Sequence, residues 1–468
     1  MSTLAAQPAP ARPARDASAS GRLLIAGATV IDPAQRLNDR RDLLVAGGRI
    51  VALDRSIPPG AGDAVIRGEG LLVIPGLVDL HCHLREPGGS ASETIETGTR
   101  AAAAGGFTTV ACMPNTNPVC DSPVVVRYII DRAEQVGSAR VAPIAAVTKG
   151  QTGEQLADLG ALKTAGALAF SDDGRPVPQA SVMRRALQYA RMLDTPIFDH
   201  AEDMSLTGDG VMHEGVVSLR LGLKGIPRSS EATIVARDAA LCLETGGRLH
   251  ICHVSNKDSV AAIRHFKERG APLTAEVSPH HLTLTDEAVE AGPRHALHEV
   301  YRTSAKMKPP LCEEEDRQVL IEALEDGTID CIATDHAPHF PASKDTVFDA
   351  APFGILGFES ALAVLWKAFV DSGRWKADFL IEKCAVAPAR VVRAPWGTLR
   401  VGQPADVALV QTGVRYAFDA SCLRSRSRNS PWLGESLTAR VAGTLWGGRE
   451  VFASPQVFPR GLTGDRAP

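Results

Sequence analysis

Between Leu77 and Asp335 short apolar runs alternate with longer amphipathic stretches, and the alternation repeats eight times. The runs begin at Leu77, Phe107, Val141, Ala167, Pro196, Arg248, Leu273 and Ile329. Each is short, rich in β-branched or small apolar residues, and reads as a buried strand. Helical periodicity follows over Ser92 to Ala104, Val124 to Gln135, Gly153 to Lys163, Ser181 to Met192, Ser230 to Glu244, Ser259 to Glu268 and Glu314 to Glu325. Alternating βα units predict an α/β fold with parallel strands, and eight of them predict a closed TIM-like (β/α)8 barrel. A doubly wound open sheet is the alternative. No Gly-x-Gly-x-x-Gly or P-loop pattern follows the first strand to support it.

The flanks read differently. From Arg22 to Ile74, and again from about Leu399, short β runs are separated by Gly and Asp turns. The two ends look alike, so a small β-sandwich domain built from both is expected. The predicted division is a tail at 1–20, the N-terminal half of the sandwich at 21–76, the barrel at 77–395, the C-terminal half of the sandwich at 396–460 and a tail at 461–468. Residues 1–20 are rich in Ala, Pro, Ser and Arg and predict disorder. They are poor in acids, as transit peptides are, but lack an amphipathic pattern.

Composition narrows the partners. The 468 residues are 44% hydrophobic and 22% charged, with net charge -4 and no long basic run. This argues against nucleic acid and against an anionic membrane as partners. No apolar stretch approaches the roughly 18 residues of a membrane helix. The nine cysteines form no Cys-x-x-Cys pair. Their odd number suggests reduced thiols and a cytoplasmic location. Cys82, Cys112, Cys252 and Cys331 sit inside apolar runs and are expected in the core.

The chemistry lies where the strands end. His81 and His83 close strand one, two residues apart, and so project to one face. Asn115 follows strand two, and Asp172 and Asp173 follow strand four. His200 closes strand five, His253 strand six and Asp335 strand eight. In a barrel these ends meet at one mouth. Four histidines and two carboxylates there fit a hydrolytic metal centre, with two ions the expected number. Asp335 is the candidate to move a proton between a water and a leaving nitrogen. His213, His265, His295 and His298 read as solvated surface. His280 and His281 follow strand seven near the mouth.

Several stretches resemble the amidohydrolase superfamily, and within it the bacterial type of dihydroorotase. They are Asp79 to Gly88 (DLHCHLREPG), Met113 to Thr116 (MPNT), Ser171 to Gly174 (SDDG), Asp199 to Asp203 (DHAED), His250 to Ser255 (HICHVS) and Ala333 to His339 (ATDHAPH). The resemblance runs from about residue 22 to the end. It implies that His81, His83 and Asp335 hold one zinc, that His200 and His253 hold a second, and that Asp173 bridges them, with Asp172 ranked below it. Many relatives bridge with a carboxylated lysine; no lysine ends strand four here. The resemblance makes Arg85, Asn115 and His339 substrate-binding residues, with Phe353 and Gly354 contacting a ring through their backbones. A guanidinium such as that of Arg85 suits a carboxylate. Where the family usually has a small polar residue, often asparagine, this chain has Lys308.

The implied activity is reversible cyclisation of N-carbamoyl-L-aspartate to L-dihydroorotate, in pyrimidine synthesis. A hydantoinase or allantoinase shares the metal set and is the first rival. An inactive scaffold for aspartate transcarbamoylase is the second, and such a protein is expected to have lost ligands. The resemblance leaves open a homo-oligomer and association with aspartate transcarbamoylase. Pro338 to Asp349 is a candidate lid.

Overall fold

The computed structural model describes residues 21–290 and 301–463. The expected tail at 1–20, His295 and His298, and residues 464–468 of the closing segment lie outside the described residues.

Eight parallel strands form one sheet in chain order: Leu77–Cys82, Phe107–Cys112, Arg140–Ala145, Ala169–Ser171, Ile197–Asp199, Leu249–Ile251, Leu273–Val277 and Cys331–Ile332. The last strand returns to the first. His83 N donates to His336 O at 2.8 Å, and Cys82 bridges His336 in parallel. Asp79 ties the seam with both oxygens, accepting from Thr334 N at 2.7 Å and from Thr334 Oγ1 at 2.8 Å. The result is a nearly closed α/β barrel. Its interior is filled by Val78, Leu80, Ala111, Ile144, Ala169, Phe198, Cys252 and Cys331.

Helices cover the outside, and local signals start and stop them. Thr94 caps Ile95–Ala104 by accepting from Thr97 N at 3.1 Å, with a reciprocal bond from Thr94 N to Thr97 Oγ1. The acidic run Glu313 to Asp316 opens the helix Glu314–Asp326, where carboxylates suit the dipole. Among the described residues no helix is long and apolar enough to cross a membrane.

Both chain ends enter a second eight-stranded sheet. Val407–Ala417, from the C-terminal region, pairs antiparallel with Leu71–Pro75, from the N-terminal region. Period two shows in its packing. Val407 and Leu409 share a core with Ile25, Val30 and Val73. Ala408 and Val410, on the other face, join the core under the barrel helices. The sheet and the barrel are therefore cemented by apolar contact.

One expectation is corrected here. His213, read as solvated surface, is 1% exposed. It lies in a short strand, Met212–His213, that pairs with Gly225–Ile226 inside the insertion after strand five. Val211, Met212 and Val217 of that insertion form a small core with Phe348 from the loop after strand eight. An isolated histidine in a Gly-flanked stretch carries no periodic signal, so its burial was not legible. His265 is exposed as expected.

Candidate metal centre

Most of the residues that matter lie at or just beyond the strand ends. Arg85, His253 and Asp335 have φ of 57°, 34° and 46°. Left-handed backbone is uncommon outside glycine and is costly to hold. At these strand ends it breaks the pleat and turns the side chains to the mouth.

Four histidines surround one carboxylate. Asp173 Oδ1 is 3.3 Å from His81 Nε2, 3.4 Å from His200 Nδ1 and 3.7 Å from His253 Nε2. Asp173 Oδ2 is 3.6 Å from His83 Nε2. Asp335 Oδ1 stands 3.1 Å from His83 Nε2 and 3.6 Å from His81 Nε2. His200 Nδ1 and His253 Nε2 are 2.9 Å apart. All six residues are at least 94% buried. Asp172, the neighbour ranked lower, is turned away. It accepts from Val147 N at 2.9 Å and Thr148 N at 3.1 Å, and from the Thr148 hydroxyl.

These spacings fit metal. Nitrogen and oxygen ligands about 2.0–2.1 Å from a tetrahedral zinc lie roughly 3.3 Å from one another. One set, His81, His83, Asp335 and Asp173, has measured separations of 3.1–3.6 Å. The other, His200, His253 and Asp173, has 2.9–3.7 Å. Two of the central atoms, His81 Nε2 and Asp173 Oδ1, are buried and without a hydrogen-bond partner among the described residues. Buried polar atoms are normally satisfied, so unsatisfied ones ask for an explanation. A bound cation would supply it. His81, His83 and Asp335, and separately His81, Asp173 and His253, form groups able to hold an ion.

The local field agrees. Burial lowers the tendency of His81 to carry charge, yet Asp335 and Asp173 beside it push it well above the usual imidazole range. Burial alone would raise Asp335, but His81 and His83 hold it below the usual carboxylate range. Asp173 is likewise held low against its burial by His81, His200 and His253. The centre favours positive charge where the ligand atoms converge.

Outer partners orient the imidazoles. His81 Nδ1 donates to Glu276 Oε1 at 2.9 Å, which leaves Nε2 for the centre. Glu276 Oε2 takes His250 Nε2 at 3.0 Å. His83 Nδ1 donates to Asn115 Oδ1 at 3.0 Å, and Asn115 Nδ2 reaches Asp173 Oδ2 at 3.3 Å. Asn115 thus stands against the ligand set as well as at the mouth. His200 Nε2 donates to Glu202 Oε2 at 3.1 Å. Sequence reasoning gave no role to Glu276 or Glu202. A glutamate inside the apolar strand Leu273–Val277 was the signal for the first.

The other expected residues rim the mouth. Arg85 Nε donates to Pro338 O at 3.1 Å, which anchors it to the loop that carries His339. His339 Nε2 donates to Phe353 O at 2.6 Å. Gly354 has φ of 150°, and a Cβ there would stand 2.6 Å from His339 Nε2. Lys308 Nζ is 2.8 Å from Glu202 Oε1 and 5.3 Å from the Phe353 ring. His280 and His281 are buried, and His281 Nε2 donates to Pro309 O at 3.1 Å.

Residues 70–259 match the family model described as "Dihydro-orotase-like". The chain is 48% identical over 430 residues to the dihydroorotase of Pelotomaculum thermopropionicum, covering 92% of this chain and 98% of that one. It is 47% identical over 429 residues to the dihydroorotase of Anaeromyxobacter dehalogenans, covering 92% and 97%. The chain belongs to the dihydroorotase family. Among solved structures, the L-hydantoinase of Arthrobacter aurescens superposes with a TM-score of 0.80 at 24% identity, covering 92% of this chain and 96% of that one. That likeness concerns the fold. Membership makes this chain a metal-dependent cyclic amide hydrolase, acting on a small molecule.

Proposed function

We propose that this dihydroorotase-family chain binds two zinc ions and interconverts L-dihydroorotate and N-carbamoyl-L-aspartate in de novo pyrimidine synthesis. The observation that carries the reading is the pair of ligand sets meeting on Asp173, with separations matched to tetrahedral N/O coordination. His81, His83 and Asp335 would hold one ion, His200 and His253 the other, and Asp173 both. When bound, zinc would supply Lewis acidity there, polarising the ring carbonyl and making a water acidic near neutral pH.

The residues do the rest. Arg85 binds the ring carboxylate, with Asn115 and His339 beside it. The backbone at Phe353 and Gly354 orients the ring. Asp335 takes the proton of the attacking water as the new C–O bond forms. It returns that proton to the ring nitrogen as the C–N bond breaks. Run backwards, the same steps close the ring and release water.

The hydantoinase reading shares this metal set, and the arginine in the Leu84-Arg85-Glu86 loop favours a carboxylate-bearing ring over it. Comparing turnover of dihydroorotate, hydantoin and allantoin separates them; activity on hydantoin or allantoin alone would reject the proposal. The inactive-scaffold reading is disfavoured because all six ligand positions are kept. All nine cysteines are free, which supports a reducing, cytoplasmic setting. Self-assembly, or assembly with aspartate transcarbamoylase, is proposed from family resemblance and is read by sizing the purified protein with and without that partner.

A further inference from the structure

Glu202 faces two ways. Its Oε2 accepts from His200 Nε2 at 3.1 Å. Its Oε1 takes the Lys308 ammonium at 2.8 Å and the Thr207 hydroxyl at 2.7 Å. Thr207 is itself tied to Ser230 Oγ at 2.7 Å. The carboxylate is only 7% exposed. A buried carboxylate is costly unless its lone pairs are met by donors. Here three donors from three segments meet them: the end of strand five, the short helix Met204–Thr207, and the loop after strand seven.

Both partners look into one space. His200, Glu202 and Lys308 line one small pocket beside the metal centre. His200, with Nε2 committed to Glu202, presents Nδ1 to Asp173 and His253. A lysine side chain is a point charge on a flexible stem. Glu202 removes that freedom and sets Lys308 over the Phe353 ring. The pair is neutral overall. Lys308 then offers directed N–H donors to a ring amide or carbonyl, while Arg85 remains the cation for the carboxylate.

We propose that Glu202 is a positioning residue that couples the second metal position to the substrate wall, through His200 on one oxygen and Lys308 on the other. This rests on the dihydroorotase reading and deepens it.

The test compares wild type, Glu202→Gln, Lys308→Met and the double variant. Two quantities are read: the rate of zinc loss to a chelator without substrate, and KM and kcat for L-dihydroorotate. Outer partners of metal-bound histidines are worth about 10–100-fold in metal affinity. Glu202→Gln is expected to lose one zinc about tenfold faster and to raise KM about tenfold, the scale of one charged hydrogen bond. Lys308→Met is expected to raise KM similarly while zinc loss stays at the wild-type rate. The double variant is expected to lose zinc like Glu202→Gln with no further rise in KM. Wild-type zinc loss and KM in Glu202→Gln would overturn the proposal, as would fully additive KM effects. Should Glu202→Gln fail to fold, Thr207→Val, which keeps the carboxylate but frees it, is expected to shift both quantities the same way; wild-type values there would overturn it. Wild-type protein with zinc but no turnover would instead reject the dihydroorotase reading, and the chelator comparison would still decide what Glu202 does for His200.

Discussion

Asp335 is proposed to carry two duties, ligand and proton carrier. Its Oδ1 is 3.1 Å from His83 Nε2, and its carboxyl is held below the usual range by His81 and His83 against its burial. It is thus an anion at neutral pH, able to accept a proton. Removing a positioned acid–base group costs about 10²–10⁴ in rate. Asp335→Ala is expected to lose turnover by at least the lower end of that range; near-normal kcat would contradict the role. Asp173 differs, because its Oδ1 has no hydrogen-bond partner among the described residues and three imidazoles around it. Asp173→Ala is expected to purify with less than one zinc per chain by elemental analysis, where Asp172→Ala keeps the wild-type count. The convergence of His81, His83, Asp173, His200, His253 and Asp335 was legible because all fall at strand ends. Which of two adjacent aspartates faces inward was not legible from periodicity. It is set by Thr148 and Val147 capturing Asp172.

At the scale of elements, the loop after strand eight is held by backbone and by buried lysines. Gly354 needs φ of 150°, a conformation L side chains rarely adopt, and its N–H donates to Lys306 O at 2.9 Å. Gly354→Ala is expected to raise KM by displacing His339, with destabilisation of about 1–3 kcal/mol in a denaturant melt. Lys344 Nζ donates to Thr303 O at 3.0 Å and Lys306 O at 3.3 Å, and burial lowers it to about 7. Its pKa in the unfolded chain is near 10.4. The folded loop therefore binds fewer protons between those values, and its stability rises with pH across that window. The cleavage rate of this loop by chymotrypsin, taken as wild type over Lys344→Met, is expected to fall from pH 7 to pH 9. A flat ratio would count against it. Such a pair of lysines reads in sequence as ordinary surface charge; only tertiary packing buries them. The alternation of strands and helices was legible because each run is apolar on its own. The last strand shrank to Cys331–Ile332 because Thr334 and Asp335 are recruited by the seam and the site.

The whole molecule joins a barrel to a sheet made from both ends. Ala408, Val410 and Val441 belong to the same core as the barrel helices. Arg140 Nη2 meets Asp406 Oδ2 at 3.0 Å, and Thr444 Oγ1 donates to Ala103 O at 2.7 Å. Barrel and sheet are proposed to fold as a unit. Removing residues 406–468 is expected to abolish the cooperative thermal transition seen by circular dichroism; a barrel that still melts sharply would contradict this. Metal belongs to the same scale, because an ion bound only by the folded state stabilises it, by about 4 kcal/mol at a thousandfold excess over Kd. The measurement that tests the central claim most directly is turnover of L-dihydroorotate and N-carbamoyl-L-aspartate by purified protein, with zinc counted on the same sample. Turnover in both directions with two zinc per chain is the expected result. Two zinc with no turnover of either compound would contradict the claim.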